Sequence, residues 1–358
     1  LLGSGGNGGA IEVQSGELSI DDGATFTGNT SKSTGGAIAV CDWSPQLPAK
    51  AVLGSAAFTQ NSAGSYGGAI INEGDVRFNG PVSFVENTAG KIGGAVCNLN
   101  TLNMAAESTF FKNTAGVGGG LYNEGIASLG KASFIENAAA DGGGAVFNVH
   151  QLTFADGAVF SGNSATDGGA VYNDFSEDKD GNAVSAGSLA FNGGARFTGN
   201  TASSQGGAIF NQGNMTVGAT FTGNKASQGG AILNYGGTGT SLTVADGSIF
   251  RNNEASSVGG AISHVDAGNM VIGNDVLFEN NVSVAGQGGA LHNQRATTEI
   301  GNDAKFINNV AKGYGGGAIY QDTDSTASSV TIGSNAEFIG NETETSHGGA
   351  IMNFNGGN

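Results

Sequence analysis

Phe58-Thr59-Gln60-Asn61, followed nine residues after its phenylalanine by Gly67-Gly68-Ala69-Ile70-Ile71-Asn72, is the phrase pair that decides the fold. Phe-x-x-Asn begins at Phe26, Phe58, Phe84, Phe110, Phe134, Phe160, Phe197, Phe221, Phe250, Phe278, Phe306 and Phe338. Each is followed 8 to 10 residues later by Gly-Gly-[AG]-[ILV], and one further glycine phrase opens at Gly8. Phe58, Phe84 and Phe110 are spaced by 26 residues, and Phe134 follows after 24. Self-similarity at a period of about 20–50 residues marks a solenoid or array. Such arrays lengthen coil by coil without needing a new core. The 358 residues therefore read as one continuous repeat domain, 1–358, and not as two globules.

Within one repeat, Val76-Arg77-Phe78 reads as a short strand, Asn79-Gly80-Pro81 as a turn and Val82-Ser83-Phe84-Val85 as a second strand. Residues 87–91 read as a polar turn, and Gly93-Gly94-Ala95-Val96-Cys97-Asn98 holds a third strand. Strands this short are not stable as isolated hairpins but can stack on identical neighbours. Six residues before the motif phenylalanines lie Ile20, Val52, Phe78, Met104, Phe154, Phe191, Met215, Val244, Ile272, Ile300 and Ile332, with Ser128 breaking the series. The glycine phrases supply another aliphatic series, including Ile38, Ile70, Val96, Leu121 and Val146. Three apolar columns predict an all-β, three-sided parallel β-helix of about twelve coils, roughly 55–60 Å long at one strand spacing per coil. Helical periodicity is absent and glycine is too dense for helices. A leucine-rich repeat would need repeated Leu and a helical return, which these columns lack.

Asparagine closes every Phe-x-x-Asn and stands five residues after the first glycine in nine repeats, from Asn72 to Asn353. Stacked one level per coil, such side chains can bond up and down a column. The paired glycines suit a positive φ or close backbone approach at a corner.

The net charge of −17 disfavours nucleic acid and anionic lipid. The two cysteines, Cys41 and Cys97, sit in different repeats and read as inert thiols. No apolar run is long enough to span a membrane, so no direct membrane insertion is expected. No signal peptide is visible, and neither end carries a solenoid cap, so the chain reads as a piece of a longer protein.

Catalytic chemistry is thin. Gly3-Ser4-Gly5-Gly6-Asn7-Gly8 matches a dinucleotide fingerprint formally but lacks the preceding strand and following helix. His150, His264, His292 and His347 have no metal-ligand spacing and read as solvated or ladder residues. His264 and His292 fall at neighbouring positions of successive phrases, which allows a stack. Asp178-Lys179-Asp180-Gly181-Asn182 has the first oxygens of a calcium loop, but Leu189 stands where its bidentate Glu belongs. A solvated acidic loop is favoured over weak calcium binding there. The acids form no dense cluster in sequence, although stacking could assemble the carboxylates of a polysaccharide-degrading enzyme. The expectation is a non-enzyme without cofactor or metal.

Binding is the better expectation. The residue four after the first glycine is Ile71, Cys97, Tyr122, Phe147, Tyr172, Phe210 and Leu233 in successive repeats. Strand alternation puts this column outward, as a candidate interaction surface. The alternative is that inserts or a neighbouring column cover it. Length variation falls between the glycine phrase and the next phenylalanine, with inserts at 41–50, 174–188, 235–241, 264–268 and 321–329. All leave after the same strand, so Trp43, Asp178 and Gln321 are expected to project from one edge, a frequent binding face of repeat proteins. The long, polar, proline-free insert 174–188 is expected to be the most mobile.

The tandem Phe-x-x-Asn and Gly-Gly-Ala-[ILV] phrases, from Gly8 to Asn353, resemble the passenger domains of chlamydial polymorphic membrane proteins, a family of autotransporters. The resemblance implies a right-handed parallel β-helix on a bacterial outer surface, anchored through a C-terminal barrel or secreted. It also implies an adhesin that binds a host-cell surface protein or glycan, or another copy of itself, with the repeated phrases linked to adhesion. Members of that family are generally richer in cysteine than this chain.

Overall fold

The computed structural model describes residues 6–43, 46–155, 157–177, 183–322, 328–344 and 347–354. Among these there is no helix, and parallel strands stack into a three-sided solenoid of about twelve turns, one for each strand of its 12-stranded sheet. One turn contains Ser62–Ala63, Ile70–Asn72, Asp75–Phe78 and Val82–Val85. The last three kinds of strand join a 33-stranded sheet that wraps the core, whereas the short strands form the separate 12-stranded sheet. That fourth ladder corrects the expectation for residues 87–91, where Thr88–Ala89 is a strand pairing with Ser62–Ala63. A turn repeated at every level faces its own copy, so even turn backbone finds ladder partners.

The motif phenylalanines stack in register, Phe58 on Phe84 and Phe84 on Phe110. Ring centroids along the column lie 4.4 Å (Phe110–Phe134) to 5.1 Å (Phe58–Phe84) apart and nearly parallel. The aliphatic column Ile38, Ile70, Val96 and Leu121 is equally buried. The second column needs correction. Leu53, Leu129 and Val217 continue the Phe78 and Phe154 level, in place of Val52, Ser128 and Met215. Val52 is half-buried and Ser128 exposed, while Met215 is buried one core position earlier, level with Leu189. The corner before the phenylalanine strand varies in length, as at Gly54-Ser55 against Asn79-Gly80-Pro81. Counting back a constant six residues then lands on the opposite face at Val52 and Ser128 and one core position too early at Met215, where the corner at Gly218 is shorter still.

The two glycines of each phrase have different duties. The first is left-handed throughout, as at Gly67 with φ of 62° and Gly93 with φ of 65°. The second touches the next coil: a Cβ on Gly68 would lie 1.9 Å from the carbonyl oxygen of Gly94, which only a hydrogen permits.

Both asparagine ladders form. Asn87 Nδ2 donates to Asn113 Oδ1 (3.0 Å) and to Phe58 O (2.9 Å), while Asn87 N–H donates to Asn113 Oδ1 (2.9 Å). Every polar atom of this buried side chain is thereby used as the pattern recurs. In the second ladder, Asn72 donates to Asn98 (2.7 Å) and Asn98 to Asn123 (2.7 Å).

Candidate functional site

The outward column lies on the strand that follows each glycine pair, and its exposure differs from expectation. Ile71, Cys97, Phe210 and Leu233 are buried, while Tyr122, Phe147 and Tyr172 are half-exposed. The cover is a lip of the chain itself. The residues immediately before the glycine pairs form their own column, Tyr66, Ile92, Val117, Gly142, Asp167, Gln205 and Gln228, in register from coil to coil. Tyr66 and Ile92 pack on a small outer cluster of Ala39, Cys41, Ile71 and Cys97. Ile71 is thus the base of a second, external core. The column lies outside the barrel, as strand alternation requires, and the alternative of a neighbouring column over it holds at Ile71 and Cys97, where Tyr66 and Ile92 of the fourth ladder pack.

At Gly142 and Asp167 the lip loses its apolar cover. Phe147 stacks on Tyr122 (centroids 5.6 Å, interplanar 14°) and on Tyr172 (4.6 Å, 12°), and Phe210 meets Tyr172 edge-on at 4.6 Å. Val117, Asp141, Gly142, Phe147, Thr166, Asp167 and Tyr172 surround a groove of about 210 Å³ there. Tyr172 Oη donates to Gln212 Oε1 (2.5 Å), and Tyr122 Oη to Glu124 Oε2 (3.3 Å). Thr166 Oγ1 donates to Ala140 O (2.7 Å). Burial, then Asp174 and Asp167, push the Tyr172 phenol well above its ordinary value. Partial burial also raises the Asp167 carboxyl, against the bonds it accepts from Ser204 and from Gln205 N–H (3.1 Å). A desolvated carboxylate beside aromatic faces is an arrangement that binding sites favour. The sequence signal for this groove is the residue before each glycine pair, which changes from Tyr, Ile and Val to Gly and Asp midway along the chain.

The inserts all follow the glycine-phrase strand. Trp43 is 60% exposed. Phe175–Glu177 and Ala183–Ala186 pair antiparallel, so insert 174–188 carries a hairpin. Residues 178–182, including Asp178, Asp180 and the calcium-loop reading, lie outside the described residues, as does much of insert 321–329. Inserts 235–241 and 264–268 extend the strands Ile232–Val244 and Ile262–Ile272, which pair along both.

Two insert residues belong to the ladder instead. Gln321 does not project: it is buried at the asparagine level and accepts from Asn293 Nδ2 through Oε1 (2.9 Å). An amide one methylene longer still reaches the column. His264 is likewise buried there, paired with Asn293 and contacting Thr298 Oγ1 through Nδ1 (2.9 Å). His264 and His292 do not stack, because His292 is one strand position earlier, opposite Ser263, and lies over Tyr320 (5.7 Å).

A second notch of about 360 Å³ forms where the corner at Gly218 is short between Asn192-Gly193-Gly194 and Asp246-Gly247; Arg196 and Thr220 line it. Among the described residues no group of three His, Cys, Asp or Glu is placed to hold a metal ion, and no helix is long and apolar enough to cross a membrane. Cys41 and Cys97 are free and buried; burial, then Glu73, lifts the Cys41 thiol to about 12, which suppresses its thiolate.

The Chlamydia polymorphic membrane protein (Chlamydia_PMP) repeat matches residues 23–40, 157–174, 194–212, 218–235 and 275–294. Each match contains one Phe-x-x-Asn and the glycine phrase after it, so it spans the motif strand, the lip and the covered strand. The chain carries a repeat domain like that of the chlamydial polymorphic membrane proteins, a family that implies a bacterial surface or outer-membrane location. No curated protein and no solved structure matches the chain.

Proposed function

We propose that this solenoid is a non-enzymatic adhesin, displayed on a bacterial surface as an autotransporter passenger, which binds a host-cell protein or glycan or another copy of itself. The observation that carries this reading is the half-buried stack Tyr122–Phe147–Tyr172, a continuous aromatic strip on a column whose members Ile71, Cys97, Phe210 and Leu233 are covered. Repetition supports it as well, since many weak contacts along one long face add through multivalency. The exposed Trp43 and the insert edge are further contact candidates.

Beads coated with the folded chain and counted on host cells test the proposal. Replacing Tyr122, Phe147 and Tyr172 together by Ser is expected to reduce retention without unfolding the coils. Retention no better than with an unrelated acidic protein, together with no self-association, leaves only a structural spacer. Turnover of a polysaccharide would establish an enzyme instead.

A further inference from the structure

We propose that the groove between Val117, Phe147 and Tyr172 receives one basic side chain, an arginine or lysine, presented by a partner polypeptide. The inference deepens the adhesin reading by giving the partner its chemistry, and rests on that reading only for the partner being a separate molecule.

Size is the first constraint. Pockets for drug-sized ligands run to about 300–1,000 Å³, and this groove of about 210 Å³ holds something nearer a single side chain. Its walls are the second. Phe147 is stacked on one side by Tyr122 and on the other by Tyr172, so these rings give the groove an apolar wall along which the methylene stem of an arginine or lysine packs.

Polarity is the third constraint and decides the sign. Two carboxylates, Asp141 and Asp167, line the groove, and no Lys, Arg or His does. The hydroxyls beside them have already donated, Thr166 to Ala140 O and Tyr172 to Gln212 Oε1. Asp167 accepts from Ser204 and Gln205 N–H and keeps lone pairs for more. A sugar hydroxyl can donate to these carboxylates but leaves their charge unpaired, whereas a cation brings donors and the opposite charge together.

Some acids on the solenoid are answered by a base in an adjacent coil: Glu107 by Lys131, Glu136 by Lys112, Glu254 by Lys225 and Glu279 by Arg251. Among the described residues no such base stands against Asp141 or Asp167. On a chain of net charge −17, a partner's cation supplies what the neighbouring coil does not. Because Asp167 is half out of water, that pairing is screened less than an exposed one.

The test titrates the folded chain with acetyl-Gly-Gly-Arg-Gly-Gly-amide, its lysine and citrulline counterparts, and a neutral methyl glycoside, following the ring resonances of Phe147 and Tyr172. The arginine and lysine peptides are expected to shift those resonances saturably, and citrulline, an uncharged near-isostere, to bind on the order of tenfold more weakly. Asp167→Asn keeps an acceptor for Gln205 N–H, and Phe147→Ser removes the apolar wall. Each is expected to weaken the arginine peptide severalfold in a chain with an unchanged circular dichroism spectrum. Equal binding of citrulline and arginine, binding of the glycoside alone, or undiminished binding by both variants overturns the proposal. If coated beads hold to cells while no basic peptide enters the groove, the adhesin reading stands and this inference fails. If the peptides bind and the beads do not hold, the reverse is true.

Discussion

Gly142 lies so close beneath Phe147 that a Cβ built on it would sit 3.2 Å from the Phe147 ring. The backbone there is not left-handed, so the constraint at Gly142 comes from the ring and not from the turn. Two coils earlier the choice is opposite, with Ile92 in the lip and the smaller Cys97 on the covered strand. Between these two coils lip and strand exchange volume, which keeps the external core filled with different residues. Gly142→Val is therefore expected to overpack the site, at a cost of about 1–3 kcal/mol. Phe147→Cys in the same chain should recover most of that cost by recreating the Ile92–Cys97 arrangement. Hydrogen exchange of the Val146–Asn148 amides checks both, because coils of a solenoid open locally.

The Phe-x-x-Asn ladder should tolerate no apolar replacement. Asn113 Oδ1 accepts from both the backbone N–H and Nδ2 of Asn87, and Asn113 Nδ2 donates to Phe84 O and to Asn137 Oδ1. Asn113→Leu leaves the buried Asn87 N–H and Phe84 O without those partners. At about 1–3 kcal/mol for each orphaned group, the change is expected to cost about 2–6 kcal/mol. Urea unfolding of the variant, read with exchange in the flanking coils, measures it.

The third position of Phe-x-x-Asn is left-handed in coil after coil: Gly28, Gly162, Gly199 and Gly223 have positive φ, and so do Gln60, Glu86, Lys112 and Glu136. Side-chain residues are strained in that conformation. Glu86 is exposed with φ of 54°, and Glu86→Gly is expected to stabilise its coil by up to about 1 kcal/mol, reduced by the greater freedom of glycine in the unfolded chain. Glu86→Val should act in the opposite direction. A rise in melting temperature for Val would refute the strain argument.

What the sequence made legible were the demands that every coil repeats at one place. Phe58, Asn61 and Gly67 each meet a steric or hydrogen-bonding requirement that recurs unchanged, so the motif and the requirement coincide. Val52 and Met215 misled, and Ser128 broke the series, because a corner of variable length shifts the face or the core level while leaving the motif spacing almost intact. The strand Thr88–Ala89 carries no alternation to read, since its pairing comes from stacking alone. Gln321 and His264 looked like the start of inserts because they are not asparagine, yet their side chains occupy the asparagine level. The outward column was visible, and so was the alternative of a neighbouring column over it, but not which residues make that column. The signal lay in pairs five residues apart, such as Ile92 with Cys97 and Gly142 with Phe147, and only the lip explains that spacing.

His264 breaks the second asparagine ladder, and this makes the C-terminal coils sensitive to acid. Asn234 Nδ2 and His264 Nε2 are both buried without a hydrogen-bond partner, because an imidazole stands where the next amide oxygen would be. Burial pushes His264 down to about 4, against the bonds that favour its charged form and with a smaller push from His292. Burial, then Arg295, likewise pushes His292 to about 4. An unfolded histidine titrates near 6.5, so between those values the unfolded chain binds more protons than the folded one. The stability from keeping these rings neutral is fully present above about pH 6.5 and is lost as the pH falls toward 4, by about 3 kcal/mol per histidine. Exchange of the amides in Ile262–Ile272 and Leu291–Gln294 is therefore expected to show much lower protection at pH 4.5 than at pH 7, beyond the intrinsic change in exchange rate. His264→Asn returns an amide to the column, giving Asn234 an acceptor and removing one titrating group. The variant should be more stable at pH 7 and lose about half of the acid sensitivity. If its protection falls with pH as steeply as in the unaltered chain, His264 is not the group that responds.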